Sequence, residues 1–173
     1  ASRMAALTVG DGTVAGVDVG PLVSQVALDN VLAMVTEAVE GGATVRAGGG
    51  RLAGEGFFMA PTVLTDVAPG ARVLREEIFG PVAPIVTFST NDEALALANG
   101  TEYGLVGYLF AEDLREAFYV TERLETGMVG LNTGIVSNPA APFGGAKASG
   151  LGREGSHEGI EEYLETKYVG IAL

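Results

Sequence analysis

Between Pro81 and Asn132, three apolar runs of strand length alternate with two segments that carry helix signals. The runs are Pro81 to Phe88, Gly104 to Ala111 and Met128 to Asn132. Between the first two, Thr90 to Glu93 has the S/T-x-x-E form of a capping box ahead of Ala94, Leu95, Leu97 and Ala98. Between the second and third, Asp113 with Glu116 can cap a helix that turns Leu114, Phe118, Thr121 and Leu124 inward until Gly127 stops it. Strand, helix, strand, helix, strand predicts parallel βαβ units with right-handed crossovers, hence an α/β fold.

The flanking sequence adds to this frame. After Gly20-Pro21, the residues Leu28, Val31, Leu32, Val35, Ala38 and Val39 follow the spacing of an amphipathic helix, and Gly41-Gly42 ends it. Ala43 to Ala47 and Phe57 to Val67 read as strands separated by Gly48-Gly49-Gly50 and Gly54. From Thr133 to Gly155 the chain is polar and glycine-rich, and a short helix near Gly159 to Leu164 precedes a terminal apolar run. Glycine totals 26 of 173 residues without any repeat, which reads as turn chemistry. The length matches one ordinary domain or part of a larger one.

Composition excludes several function classes. The net charge of −12 opposes nucleic acid and anionic membrane surfaces, because both demand neutralisation of phosphates. With no cysteine and one histidine, disulfides, thiolate metal sites and a cysteine nucleophile are absent from these residues, and no metal is expected. No apolar run reaches the ~20 residues of a membrane span, and Ala1 to Gly10 lacks a secretory pattern, so a cytoplasmic location is expected.

Several motifs remain. Gly150 to Gly155 spells G-x-G-x-x-G, but Pro142 to Lys147 upstream is turn-like rather than a strand, so a loop is expected there. His157 has no serine or cysteine partner legible in the sequence and reads as a surface or structural histidine. Glu76-Glu77-Ile78-Phe79-Gly80-Pro81 sets two acids and an aromatic immediately before a buried strand. By pattern alone it is either a solvated turn or a carboxylate placed for a ligand's hydroxyls beside an aromatic wall. Ser137-Asn138-Pro139 is equally a turn by pattern.

Together these words resemble the C-terminal part of the catalytic domain of the aldehyde dehydrogenase superfamily. The resemblance rests on GPLVS (20–24), FFMAPTVL (57–64), EEIFGPV (76–82), NGTEYGLVGYLF (99–110), GMVGLN (127–132) and PFGGAKASGLGREG (142–155). Within it, GIVSN (134–138) and the ending EGIEEYLETKYVGIAL are most similar to the succinate-semialdehyde branch. The resemblance implies that Glu77 holds the nicotinamide ribose hydroxyls of NAD or NADP and that Phe79 packs beside the nicotinamide. It implies further that Phe143 lines the aldehyde tunnel and Ser137 binds the substrate's distal carboxylate. An ionised carboxylate suits the first role, since it accepts two hydroxyl hydrogen bonds.

The family's cysteine nucleophile, general-base glutamate and dinucleotide-binding segment precede this stretch in the family's order, so no catalytic residue is expected among residues 1–173 and the chain alone should be inactive. Residues 1–167 are then expected to be part of a catalytic domain. Residues 168–173 would be an oligomerisation strand that builds a homodimer or homotetramer, because unpaired apolar strand edges seek partners. The alternative from another class is a non-catalytic α/β assembly module.

Overall fold

The computed structural model describes residues 1–172 and divides into two compact units, Ala1–Thr87 and the segment from Phe88 on. The first begins with a single turn, α1 (Ser2–Ala5), and is organised by the long helix α2 (Gln25–Glu40). Ser24 starts α2 by accepting the Ala27 amide on its hydroxyl at 3.1 Å. Leu28, Val31, Val35 and Ala38 form a buried stripe as the spacing predicts, but Met34 joins them while Leu32 is only half-buried and Val39 is 42% exposed, and Gly42 at φ +101° ends the helix.

That stripe packs on the sheet β1 (Thr44–Ala47), β2 (Thr62–Thr65) and β3 (Val82–Pro84), in the order β1-β2-β3. β1 runs antiparallel to β2 with an irregularity at Arg46, and β3 runs parallel to β2 with Thr62 opposite Val82. The central strand is the most buried, with Thr62 and Leu64 at 0% exposure. Burying a side chain such as Leu64 contributes roughly 1.5–3 kcal/mol. The Thr62 hydroxyl avoids a penalty by donating to the Ala60 carbonyl (2.7 Å) and accepting the Gly49 amide (2.8 Å). Gly48 fits only as glycine, because a Cβ there would lie 2.3 Å from the Pro61 carbonyl oxygen.

In the second unit, α3 (Asn91–Asn99) opens on Thr90, whose hydroxyl accepts the Glu93 amide at 3.2 Å, while the Glu93 carboxylate reaches back to the Ser89 amide at 2.7 Å. After β4 (Tyr103–Gly104) come β5 (Val106–Leu109), α4 (Leu114–Thr121) and β6 (Met128–Leu131), which form a βαβ unit with Val106 opposite Met128 in a parallel ladder. The Asp113 carboxylate caps α4 by accepting the Arg115 and Glu116 amides at 2.7 and 3.1 Å. β7 (Ala146–Lys147) returns antiparallel to β4, and α5 (Glu158–Glu161) is one turn.

The α/β class and most elements agree with the sequence, but two expectations change. The strand within Pro81 to Phe88 is three residues long and pairs with β2, not with β5, among the described residues. Residues 66–81 are long enough for a parallel return and follow a 3-10 turn (Arg72–Leu74) instead of a full helix. α4 stops at Thr121, and it buries Ala117 and Val120 while Leu114 and Phe118 stay 65% and 58% exposed. Small Ala117 sits at the centre of the buried face, so the larger flanking side chains fall outside it. Tyr168 to Ala172 forms no strand within the chain, and Tyr168 and Ile171 are exposed; Leu173 lies outside the described residues. Among the described residues, no helix is long and apolar enough to cross a membrane.

Candidate functional site

The four residues singled out from the sequence fall in two groups, Glu77 and Phe79 in the first unit and Ser137 and Phe143 in the second. The first group sits on the segment between the 3-10 turn and β3. Ile78 points inward and packs against both apolar clusters of the unit, which anchors the segment. Gly80 passes so close to α2 that a Cβ would meet the Val31 methyls at 3.0 and 3.1 Å. Held at both points, the backbone turns Phe79 outward at φ +44°, with 82% of its surface exposed. A large aromatic in the left-handed region is strained, and exposing it forgoes its burial energy, a combination that marks functional segments more than cores.

The two adjacent acids are not equivalent. Glu76 accepts the Arg72 Nε at 2.9 Å, and Arg72 also reaches Asn30 (2.5 Å) and Glu37 (3.2 Å) on α2. The hydrogen bond that Arg72 donates to Glu76 is the main cause that holds the guanidinium pKa above its ordinary value. Glu77, one residue on, is exposed and takes no hydrogen bond or ion pair among the described residues. Of the pair, only Glu77 is free to accept a ligand's hydroxyls.

Ser137 and Phe143 come together at one open pocket of about 270 Å³, lined also by Asn138, Pro139, Ala141 and Glu154. Asn138 makes the expected turn, its side-chain oxygen accepting the Ala140 amide at 2.9 Å. That leaves the neighbouring Ser137 hydroxyl without a hydrogen bond among the described residues. Phe143 is fixed by a backbone pair with Glu154, at 2.8 and 2.7 Å. It also lines a larger recess of about 590 Å³ with Leu105, Arg153 and Tyr163. The Arg153 guanidinium donates to the Gly145 and Gly152 carbonyls at 2.9 and 2.6 Å, bracing the glycine-rich loop from within.

Residues 1–169 match the profile of the aldehyde dehydrogenase family. This chain belongs to that family. It is 53% identical over 172 residues to the succinate-semialdehyde dehydrogenase of Paenarthrobacter nicotinovorans, covering 99% of this chain and 38% of that protein. It is 51% identical to the glutarate-semialdehyde dehydrogenase of Pseudomonas aeruginosa, covering 97% of this chain and 35% of that one. A crystal structure of an NADP-dependent enzyme from E. coli superposes with a TM-score of 0.94 at 50% identity, over 99% of this chain and 36% of its own. The chain thus spans little more than a third of the length of the relatives it matches.

For an aldehyde dehydrogenase, G-x-G-x-x-G at Gly150 to Gly155 is a coincidence of letters. Gly150, Gly152 and Gly155 take φ of +110°, +79° and +66°, and Glu154 is bridged to Phe143. The only strand ahead of it is the two-residue β7, which ends at Lys147 among the described residues, and α5 begins only at Glu158, beyond the last glycine. The His157 side chain is 80% exposed beside Glu158 and Glu161, a surface position. Sequence reasoning missed Asn132. It adopts φ +53° at the end of β6 and clasps Ala111, accepting its amide and donating to its carbonyl at 2.9 Å each. The available signal was an asparagine closing a β-run, since Asn tolerates the left-handed region better than other polar residues.

Proposed function

We propose that these residues are the C-terminal portion of the catalytic domain of an NAD(P)-dependent aldehyde dehydrogenase that oxidises succinic semialdehyde, or a related aldehyde, to the carboxylic acid. The observation that carries the reading is the split within the acidic pair, with Glu76 bonded to Arg72 and Glu77 unpartnered beside an outward, left-handed Phe79. Such a carboxylate fits the ribose hydroxyls of NAD or NADP, and the Phe79 ring offers an apolar wall for the nicotinamide. When bound, the nicotinamide supplies the hydride acceptor.

The shared pocket of Phe143 and Ser137 supports the substrate half of the reading, with Phe143 lining the aldehyde's path and the free Ser137 hydroxyl donating to a distal carboxylate. The pocket's lining contains Glu154 and no cation, so the charge that balances an anionic substrate is placed outside these residues. The likeness to succinate- and glutarate-semialdehyde dehydrogenases supports an aldehyde bearing such a carboxylate. The exposed run Tyr168 to Ala172 is assigned to pairing between subunits of a homo-oligomer.

The test is NAD(P)H formation from succinic semialdehyde by the longer protein that carries this stretch, with the 173-residue chain assayed beside it. The longer protein should turn over. The chain alone should not, because it has no cysteine to attack the aldehyde. Activity in the chain, or none in the longer protein with any aliphatic semialdehyde, overturns the proposal and favours an assembly module.

A further inference from the structure

A lysine outside both site groups makes the most completely satisfied charged contact in the second unit. Lys147, the last residue of β7, has φ +54° and an ammonium with only three protons to donate. Three acceptors surround it: the Asn99 carbonyl at 2.8 Å, the Thr101 carbonyl at 3.2 Å and a Glu125 carboxylate oxygen at 2.6 Å. Its side chain is 25% exposed and that of Glu125 57%, so the ion pair stays partly solvated and the contact is one of geometry more than of buried charge.

The cage joins three segments that are far apart in sequence. Asn99, at the end of α3, donates from its amide to the Arg123 carbonyl at 2.8 Å and accepts the Glu125 amide at 2.9 Å. The β7 segment is strapped down further by Ala148 donating to the Glu102 carbonyl and by Ser149 accepting the Gly104 amide, both at 2.9 Å. Where these segments meet, backbone lies on backbone. A Cβ at Gly127 would fall 2.0 Å from the Gly144 carbonyl oxygen, and one at Gly104 would fall 2.5 Å from the Glu125 carbonyl oxygen. Gly144 is the immediate neighbour of Phe143.

We propose that Lys147 is the positioning residue of the Ser137–Phe143 pocket: by holding β7 and the Glu125 to Gly127 turn together it determines where Gly144, and with it the Phe143 ring, is placed. The route is mechanical and short. Glu125 and the Asn99 and Thr101 carbonyls fix one side, β7 fixes the other, and the Gly127–Gly144 contact leaves the connecting backbone no slack. Lys147 touches no pocket surface itself. The substrate-facing consequence rests on the function proposed above; the positional one does not.

The test begins with the 173-residue chain. Amide hydrogen exchange is followed at Phe143 and Glu154, which bond each other, and at β5 and β6 as an internal control. In Lys147→Met the Phe143 and Glu154 amides should exchange faster by roughly tenfold or more, with β5 and β6 unchanged. Because the chain has no cysteine, Lys147→Cys alkylated with 2-bromoethylamine places an ammonium back at nearly the original reach and should restore protection. Unchanged exchange at Phe143, loss of protection throughout β5 and β6, or failure of the alkylated variant to recover each overturns the proposal. In the longer protein, Lys147→Met should raise KM for succinic semialdehyde by about fivefold or more and leave KM for NAD(P) within about twofold. Equal shifts in both constants overturn the positioning role. Absence of aldehyde turnover in the unsubstituted protein would instead refute the proposed function, with the exchange result still deciding the role of Lys147.

Discussion

Glu77→Gln in the longer enzyme isolates the charge of the proposed ribose contact from its shape. The substitution keeps side-chain length and one acceptor oxygen and removes the negative charge. Since Glu77 has no partner among the described residues, folding should not register the change. A charge-assisted hydrogen bond to a hydroxyl contributes roughly 1.5–3 kcal/mol, which corresponds to a loss of about 10- to 150-fold in kcat/KM for the cofactor. The neighbouring acid supplies the control. Glu76→Gln removes the charge from the 2.9 Å contact with Arg72, but Arg72 keeps Asn30 and Glu37, and half-exposed ion pairs contribute little. It should lower the unfolding midpoint slightly and leave cofactor kinetics alone. The assay is steady-state turnover with NAD(P) varied at saturating aldehyde, with single-turnover hydride transfer and thermal unfolding on the same preparations. Unaltered kinetics in Glu77→Gln, or an equal kinetic loss in Glu76→Gln, would refute the division of labour between the two acids.

Three further outcomes are expected. Ser137→Ala should reduce kcat/KM for succinic semialdehyde more than for an uncharged aldehyde of similar length; equal reductions would return Ser137 to a plain turn residue. Leu64→Ala, at a fully buried position of β2, should destabilise the chain by about 2–5 kcal/mol in a denaturant titration, and a cost under about 1 kcal/mol would show that β2 is not the core strand. Deleting residues 168–173 from the longer protein should lower its mass by light scattering at micromolar concentration, and an unchanged oligomer would remove the assembly role from that run.

What was legible in the sequence is what local chemistry decides. Most of the α2 stripe and its glycine end, and the caps at Thr90 and Asp113, depend on residues within a few positions of one another and appear where the spacing places them. Strand partners are set at longer range. Val82 to Pro84 is apolar enough for any parallel neighbour, and only the burial of β2 beneath α2 selects Thr62 to Thr65. The inward face of α4 failed for a related reason: apolar residues cover more than half its circumference, and the choice of Ala117 over Phe118 as the contact depends on how closely the helix approaches β6.

The site divides along the same line. Residue types that suit a ligand were visible in the motif words, because an aromatic beside acids and a serine beside a turn restrict the chemistry on offer. Availability was not visible, since it depends on what each side chain has already bonded. Glu76 and Glu77 are the same residue in the same turn, and Arg72 breaks the tie only because α2 brings Asn30 and Glu37 to its other donors and aims the Nε at Glu76. Ser137 and Asn138 divide in the same way, the amide closing the turn and the hydroxyl left over. Lys147 is the converse case: a lysine in a glycine-rich loop reads as solvated, and only the convergence of Asn99, Thr101 and Glu125 on its three donors shows that it is spent on structure. A polar residue in such a loop therefore becomes a ligand candidate by subtraction, once every partner the fold supplies has been counted against it.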